Sequence, residues 1–243
     1  MFVIPMAGLS SRFFKAGFAV PKYQLQINDK LVFDLAMQSF KAYFASDLFV
    51  IIVRDVYDTP EFVKKRLQAL GVKDFIIHTL TDETRGQAET VALGIDDAKI
   101  ADDEPVYIFN IDTFRYDFKK PNLANQVDGY LEVFAGEGEH WSFIAIDEHD
   151  NVIKTTEKQR ISDLCSDGLY YFKSKALYLA LFNQAIEQNL TVKNEFYIAP
   201  MYNLLIEQGG TVGYVKITDE QIDFCGTPDE YQLLLHQGLK QTA

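Results

Sequence analysis

The run LFVIIV, Leu48 to Val53, is apolar at every position. A strand with one wet face alternates between apolar and polar residues. A strand that is apolar throughout is covered on both faces, which places it in a largely parallel sheet packed by helices. The neighbouring sequence supplies those helices. Upstream, Phe33, Met37, Phe40 and Phe44 recur at i, i+4, i+7 and i+11, and this stripe predicts one helix through LVFDLAMQSFKAYF. Downstream, Thr59-Pro60-Glu61 reads as a helix start, Val63, Leu67 and Leu70 as its inner face, and Gly71 as its end.

The alternation continues. FVIPMA (Phe2 to Ala7), DFIIHTL (Asp74 to Leu80) and VYIFN (Val106 to Asn110) read as strands. QAETVALGI (Gln87 to Ile95) reads as a helix with Ala88, Val91, Ala92 and Ile95 inward. Strands alternating with helices mean βαβ units, and the fold class is α/β with a mostly parallel, mixed central sheet. The rhythm then changes. GYLEVF, SFIAID and GLYYF follow closely, with His149-Asp150-Asn151 as the tip of a hairpin. Helices are expected near Lys175 to Gln188 and Phe196 to Gln208, then a strand TVGYVKI. No repeat or low-complexity linker interrupts the chain. It is expected to be one domain, residues 1–243, whose halves 1–115 and 116–243 share one sheet.

Charge narrows the partners. The 243 residues carry a formal net charge of -12, which argues against general binding to nucleic acid or anionic membranes. A single phosphate site, needing only a few local cations, remains open. Cys165 and Cys225 lack the spacing of a zinc site or a disulfide framework. No apolar stretch reaches membrane-spanning length and no basic leader precedes the first strand, so a cytoplasmic protein is expected.

Within this acidic chain, IPMAGLSSRFFKAGFAVPK (Ile4 to Lys22) gathers cations directly after the first strand. In open α/β sheets ligands bind beyond the carboxyl ends of strands. Gly8 lets backbone approach a ligand, Ser10 and Ser11 offer small donors, Arg12 a charged fork and Lys22 a point charge. Exposed amides in such a loop make an anion nest, so the set suits a polyphosphate. The spacing is neither GxxxxGK[ST] nor GxGxxG. Taken alone, the loop reads equally as a glycine turn with solvated basic residues.

Ala7-Gly8-Leu9-Ser10-Ser11-Arg12-Phe13, followed by Pro21-Lys22, resembles the signature of the sugar-phosphate nucleotidyltransferases, the nucleoside-diphosphate-sugar pyrophosphorylases. Ser10 stands where that family often has a second glycine. TRGQAET (Thr84 to Thr90) resembles the family's base-recognition segment, implying that Gly86 and Gln87 read the nucleobase edge; a helix N-terminus capped by Thr84 fits the same pattern. FNIDTF (Phe109 to Phe114) resembles the metal-site segment, implying Asp112 as a Mg²⁺ ligand. TEKQRISDLCSDGLYYF (Thr156 to Phe172) resembles the Glu-Lys-Pro … Gly-Leu-Tyr-x-Phe stretch, with Gln159 in place of the proline. It implies that Glu157 and Gly168 meet the sugar and Lys158 its phosphate. NEFYIAPMYN (Asn194 to Asn203) resembles a late acidic segment that would bring Glu195 to the sugar. DFCGTPDEY (Asp223 to Tyr231) resembles the closing Asp-x-Gly-Thr-Pro motif, whose acid is the second metal ligand. Here Phe224 occupies the acid's place and Asp223 lies one residue further back.

The resemblance runs in order from Ala7 to Tyr231. It implies a three-layer Rossmann-like nucleotidyltransferase fold with a nucleotide-binding half (1–115) and a sugar-phosphate-binding half (116–243). It also implies an enzyme, Mg²⁺ as cofactor, and as partners an NTP and a sugar 1-phosphate, without nucleic acid or membrane. Arg12 and Lys22 would be catalytic, Ala7, Gly8, Ser10 and Ser11 would hold nucleotide, and the product would be an NDP-sugar destined for a role such as polysaccharide biosynthesis. His140 and Trp141 read either as acceptor-pocket lining or as packing. Two alternatives keep the fold: a cytidylyltransferase acting on phosphocholine or another small phosphorylated alcohol, and a non-catalytic nucleotide-sugar-binding protein. A glycosyltransferase would call for an Asp-x-Asp metal motif, and NID offers one acid.

Overall fold

The computed structural model describes residues 1–97 and 99–241. The chain divides into two compact units, each assembled from separated segments.

One unit comprises Phe2–Glu83, Asn110–Lys119 and Asp219–Ala243. Its strands Phe2–Pro5, Leu48–Arg54 and Asp74–Leu80 run parallel, in register Ile4↔Ile51 and Ile51↔Ile77. Phe2, Val3, Phe49, Val50, Ile51, Ile52 and Val53 are fully buried, as an uninterrupted apolar run demands. The crossover helix Thr59–Leu70 starts with Pro60 in its first turn and stops at Gly71, whose φ of 82° is left-handed. Val63 and Leu67 seal its inner face. The short strands Thr113–Arg115 and Ile222–Phe224 pair antiparallel, with Asp223 opposite Phe114.

The expected single helix through LVFDLAMQSFKAYF is interrupted. Helix Val32–Gln38 ends, and a 3-10 turn follows at Lys41–Tyr43. The Ser39 and Phe40 amides donate to carbonyls three residues back, tightening the last turn. The Ser39 hydroxyl accepts the Arg115 amide at 2.9 Å, so a distant strand claims the break point. Phe40 still joins the core, 4.5 Å from the Phe2 ring centre and 5.2 Å from Phe118.

The other unit comprises Met1, Thr84–Phe109 and Lys120–Thr218. The long strand Leu164–Phe172 pairs antiparallel with Val106–Ile108, Gly129–Ala135 and Ser142–Ile146. Ser142–Ile146 and Val152–Glu157 form the expected hairpin, and at its tip Asp147 Oδ1 accepts the His149 and Asn151 amides at 2.9 and 2.8 Å. Val212–Lys216 adds parallel to Gly129–Ala135. The sheet strands are thus mixed and the class is α/β. Tyr202 pins the helix Met201–Glu207, its hydroxyl lying 2.9 Å from both the Tyr130 and Tyr171 carbonyls.

That helix begins later than the expected Phe196. The Phe196 amide donates to the Arg85 carbonyl at 2.6 Å, and its carbonyl accepts the Ala88 amide at 3.0 Å. Backbone committed to a neighbouring segment cannot also close helical turns. No helix among the described residues is long and apolar enough to cross a membrane.

Candidate active site

The loop after strand Phe2–Pro5 delivers Ala7, Gly8, Ser10, Ser11 and Arg12. Gly8, Ser11 and Arg12 are exposed. Ser10 is left-handed, with φ 52°, and stands before the short helix Ser11–Lys15. Its hydroxyl accepts the Lys22 amide at 3.2 Å, which fastens the Pro21-Lys22 segment to the loop. Among the described residues the Arg12 side chain makes no hydrogen bond or ion pair.

Lys22 reaches Asp112. Its ammonium donates to Asp112 Oδ2, with side chains 23% and 19% exposed. Partial burial weakens solvent screening, so the pair is held more firmly than a surface one. The Asp112 carbonyl accepts the Cys225 amide at 2.7 Å. A Cβ on Gly226 would stand 3.1 Å from Asp112 Oδ2 and 3.5 Å from Glu230 Oε2, so Gly226 is the wall of this carboxylate pocket. Glu230 Oε2 is occupied, accepting the Gly226 and Thr227 amides at 2.8 and 2.9 Å in a capping box that starts helix Pro228–Gln237. Burial first, and then the Asp112 charge, push the Cys225 thiol up to about 12, with Lys22 acting in the other direction.

Asp223 belongs to the same unit but is differently engaged. Only 4% exposed, its Oδ2 accepts the Tyr116 hydroxyl at 2.6 Å and the Lys240 amide at 2.9 Å. Among the described residues no group of three or more His, Cys, Asp or Glu side chains is placed to hold a metal ion. Mg²⁺ does not need one, since it keeps waters and phosphate oxygens and takes one or two carboxylates. Asp112 suits that demand: a hard oxygen donor, close to the phosphate-type loop through Lys22, that already accommodates a cation.

In the other unit a second set converges. Ser142 donates from Oγ to Glu157 Oε2 at 2.5 Å, and Glu157 Oε1 lies 3.3 Å from Lys158 Nζ. Lys158, left-handed at φ 54°, donates its ammonium to the Tyr197 hydroxyl and sits 3.9 Å from that ring's centre. Burial raises the Tyr197 hydroxyl, the neighbouring Glu195 acts in the same direction, and Lys158 opposes them. Glu157 and Glu195 thus neighbour the two members of the Lys158–Tyr197 pair, and Tyr197, which links the two segments, has no signal in the sequence beyond its place two residues after Glu195. Burial opposes the Lys158 charge, but Tyr197 and Glu157 together outweigh it and raise the amine.

Gly86 explains how segments 84–90 and 194–197 of this unit meet. Its φ is 125°, and a Cβ there would lie 2.5 Å from the Phe196 carbonyl oxygen and 2.7 Å from its nitrogen. Thr90 donates to the Gly86 carbonyl at 3.0 Å and pairs with the Thr84 hydroxyl at 2.6 Å. The expected Thr84 side-chain cap is absent from helix Gln87–Ile95, which begins at half-buried Gln87 with Gly86 as its N-cap. Gly168 is buried in a register shift of its strand at φ 95°. The Trp141 carbonyl accepts the Lys158 amide at 2.9 Å, and its indole donates to the Glu137 carbonyl at 2.9 Å with the His140 ring 4.4 Å away.

No protein-family model matches the chain. No curated protein matches it either. Solved structures do. The nucleoside-diphosphate-sugar pyrophosphorylase from Vibrio cholerae RC9 is 47% identical, with a TM-score of 0.93 over 98% of this chain and 100% of that one. The inositol-1-phosphate CTP transferase from T. maritima superposes with TM-score 0.73 at 15% identity, over 100% of this chain and 96% of that one. A UDP-glucose pyrophosphorylase complexed with UDP-glucose gives 0.72 at 16%, over 97% of each chain. The last two bear on fold alone, which is the Rossmann-like nucleotidyltransferase fold. Full-length similarity at 47% identity extends to kinship: the chain belongs to the sugar-phosphate nucleotidyltransferases, the nucleoside-diphosphate-sugar pyrophosphorylase family, and is an enzyme of nucleotidyl transfer.

Proposed function

We propose that the protein transfers a nucleotidyl group from an NTP to a sugar 1-phosphate, releasing pyrophosphate, with Mg²⁺ as cofactor. The observation that supports this reading is the Lys158 ammonium set between Glu157 and the Tyr197 phenol, with Glu195 a further neighbour of that phenol. A cation between an acid and a phenol, with a second acid beside the phenol, suits a ligand that is anionic at one end and rich in hydroxyls at the other.

Lys158 would neutralise the incoming phosphate, and Glu157 and Glu195 would accept sugar hydroxyls, with Gly168 beside them. Gly86 and Gln87 would meet the nucleobase. Arg12, with the amides of Ala7, Gly8, Ser10 and Ser11, would hold the β- and γ-phosphates and stabilise the departing pyrophosphate. Lys22 would carry positive charge to the α-phosphate. Mg²⁺ held by Asp112 would neutralise charge building on the α-phosphate oxygens. Asp223 would reach an ion only by giving up its bonds to Tyr116 and Lys240, and we assign it to holding the strand Ile222–Phe224 that leads into Cys225 and Gly226. The attacking phosphate oxygen is already ionised at neutral pH, so positioning and charge neutralisation suffice without a general base.

The test is a matrix of pyrophosphate release in Mg²⁺, pairing the common NTPs and dTTP with sugar 1-phosphates and phosphocholine. Release with one sugar pair, lost in Asp112→Ala, names the substrates. Release with phosphocholine alone overturns the sugar assignment. Nucleotide binding without release from any pair overturns the catalytic reading.

A further inference from the structure

Two features crowd Asp112 Oδ2 among the described residues. Gly226 stands close enough that a Cβ would lie 3.1 Å away, and the Lys22 ammonium donates to the same oxygen. The nearby carboxylate of Glu230 is spent on the Gly226 and Thr227 amides. Asp112 is therefore neutralised by Lys22, and a divalent cation approaching that oxygen meets an ammonium already in place. The same lysine is fastened by its amide to Ser10 of the small-residue loop. An anion arriving on that loop draws Lys22 toward itself and away from Asp112.

We infer that Lys22 is a built-in place-holder for the divalent cation: it occupies Asp112 in the empty enzyme, and nucleotide phosphate must recruit it before the metal can take the carboxylate. Cation and nucleotide then bind as mutually dependent partners, because each removes the counter-ion that obstructs the other. This rests on the nucleotidyl-transfer reading with Asp112 as ligand.

The experiment measures Mn²⁺ binding by paramagnetic resonance, without nucleotide, on wild type, Lys22→Met, Lys22→Gln, Lys22→Arg, Asp112→Asn and the Lys22→Met/Asp112→Asn double variant. Removing an adjacent positive charge from a half-buried carboxylate predicts Mn²⁺ binding about tenfold tighter or more in the two neutral variants. Lys22→Arg stays as weak as wild type, and the gain disappears in the double variant. Melting temperature provides a second readout, with Mn²⁺ raising it more in Lys22→Met than in wild type. Equal affinity in wild type and both neutral variants, or a gain that survives in the double variant, overturns the inference. Pyrophosphate release by wild type in Mg²⁺, run alongside, separates the two failures. Release with no gain in the neutral variants removes the place-holder role alone, whereas absent release removes the reading beneath it.

Discussion

Lys158 donates its ammonium to the Tyr197 hydroxyl while lying 3.9 Å from the centre of the same ring. The tyrosine thus holds the lysine in two ways, and removing one leaves the other. Tyr197→Phe keeps the ring and loses the hydroxyl; KM for the sugar phosphate is expected to rise about three- to tenfold with kcat little changed, the worth of one hydrogen bond. Lys158→Ala removes the charge itself, and kcat/KM should fall by about ten- to a hundredfold, as for a charged hydrogen bond. Steady-state kinetics varying the sugar phosphate separates the two.

Gly86→Ala forces a Cβ against the Phe196 backbone at 2.5 Å and a side chain into φ 125°. A stability loss of about 2–4 kcal/mol is expected from strain and backbone displacement. Gly8→Ala, with nothing within 4 Å of the added carbon, should leave stability unchanged. Urea denaturation of both variants checks the contrast.

Arg12 is exposed and unengaged among the described residues, so its replacement should spare the fold. Arg12→Ala is expected to lower kcat/KM by about a hundredfold or more, the cost of one transition-state donor. Unchanged melting temperature with near-wild-type turnover would remove Arg12 from the mechanism.

Tyr116→Phe strips one of the hydrogen bonds from the buried Asp223 carboxylate. Stability should drop by about 1–3 kcal/mol. If Asp223 holds strand rather than metal, Mn²⁺ affinity in the presence of nucleotide will be the same in Asp223→Asn as in wild type. A tenfold weakening, on the order seen when a metal-supporting group is lost, would place Asp223 in the metal site instead.

Burial raises the Tyr116, Tyr130, Tyr170, Tyr178 and Tyr202 hydroxyls and the Cys225 thiol above their ordinary values. In the window above the ordinary values the folded chain holds protons that the unfolded chain has lost. Stability contributed by these groups is therefore complete below that window and falls as pH rises through it. Denaturation midpoints should decline steadily above about pH 9, and the tyrosinate absorbance of these five buried tyrosines should appear together with unfolding rather than before it.

Much of the fold was legible because burial on both faces leaves a mark no other environment makes, as at Leu48 to Val53. The break after Gln38 was not legible, since its agent is the Arg115 amide on the Ser39 hydroxyl, supplied by a strand far along the chain. The late start of helix Met201–Glu207 has a similar origin, in bonds from Phe196 to Arg85 and Ala88. At the candidate site, charged residues in local motifs could be read, but Tyr197 could not: a phenol near an acid has no signature until a lysine from a distant segment is laid on it. Gly86 was picked out by motif, whereas its physical reason, contact with the Phe196 backbone, exists only in three dimensions.

The bond from Phe196 to Arg85 and the contact at Gly86 have a consequence for inheritance and engineering. Segments 84–90 and 194–197 form a cassette: neither can be exchanged with a homologue while the other stays, because the grafted backbone must dock on its native counterpart. Chimaeras that swap both together should fold where single swaps fail.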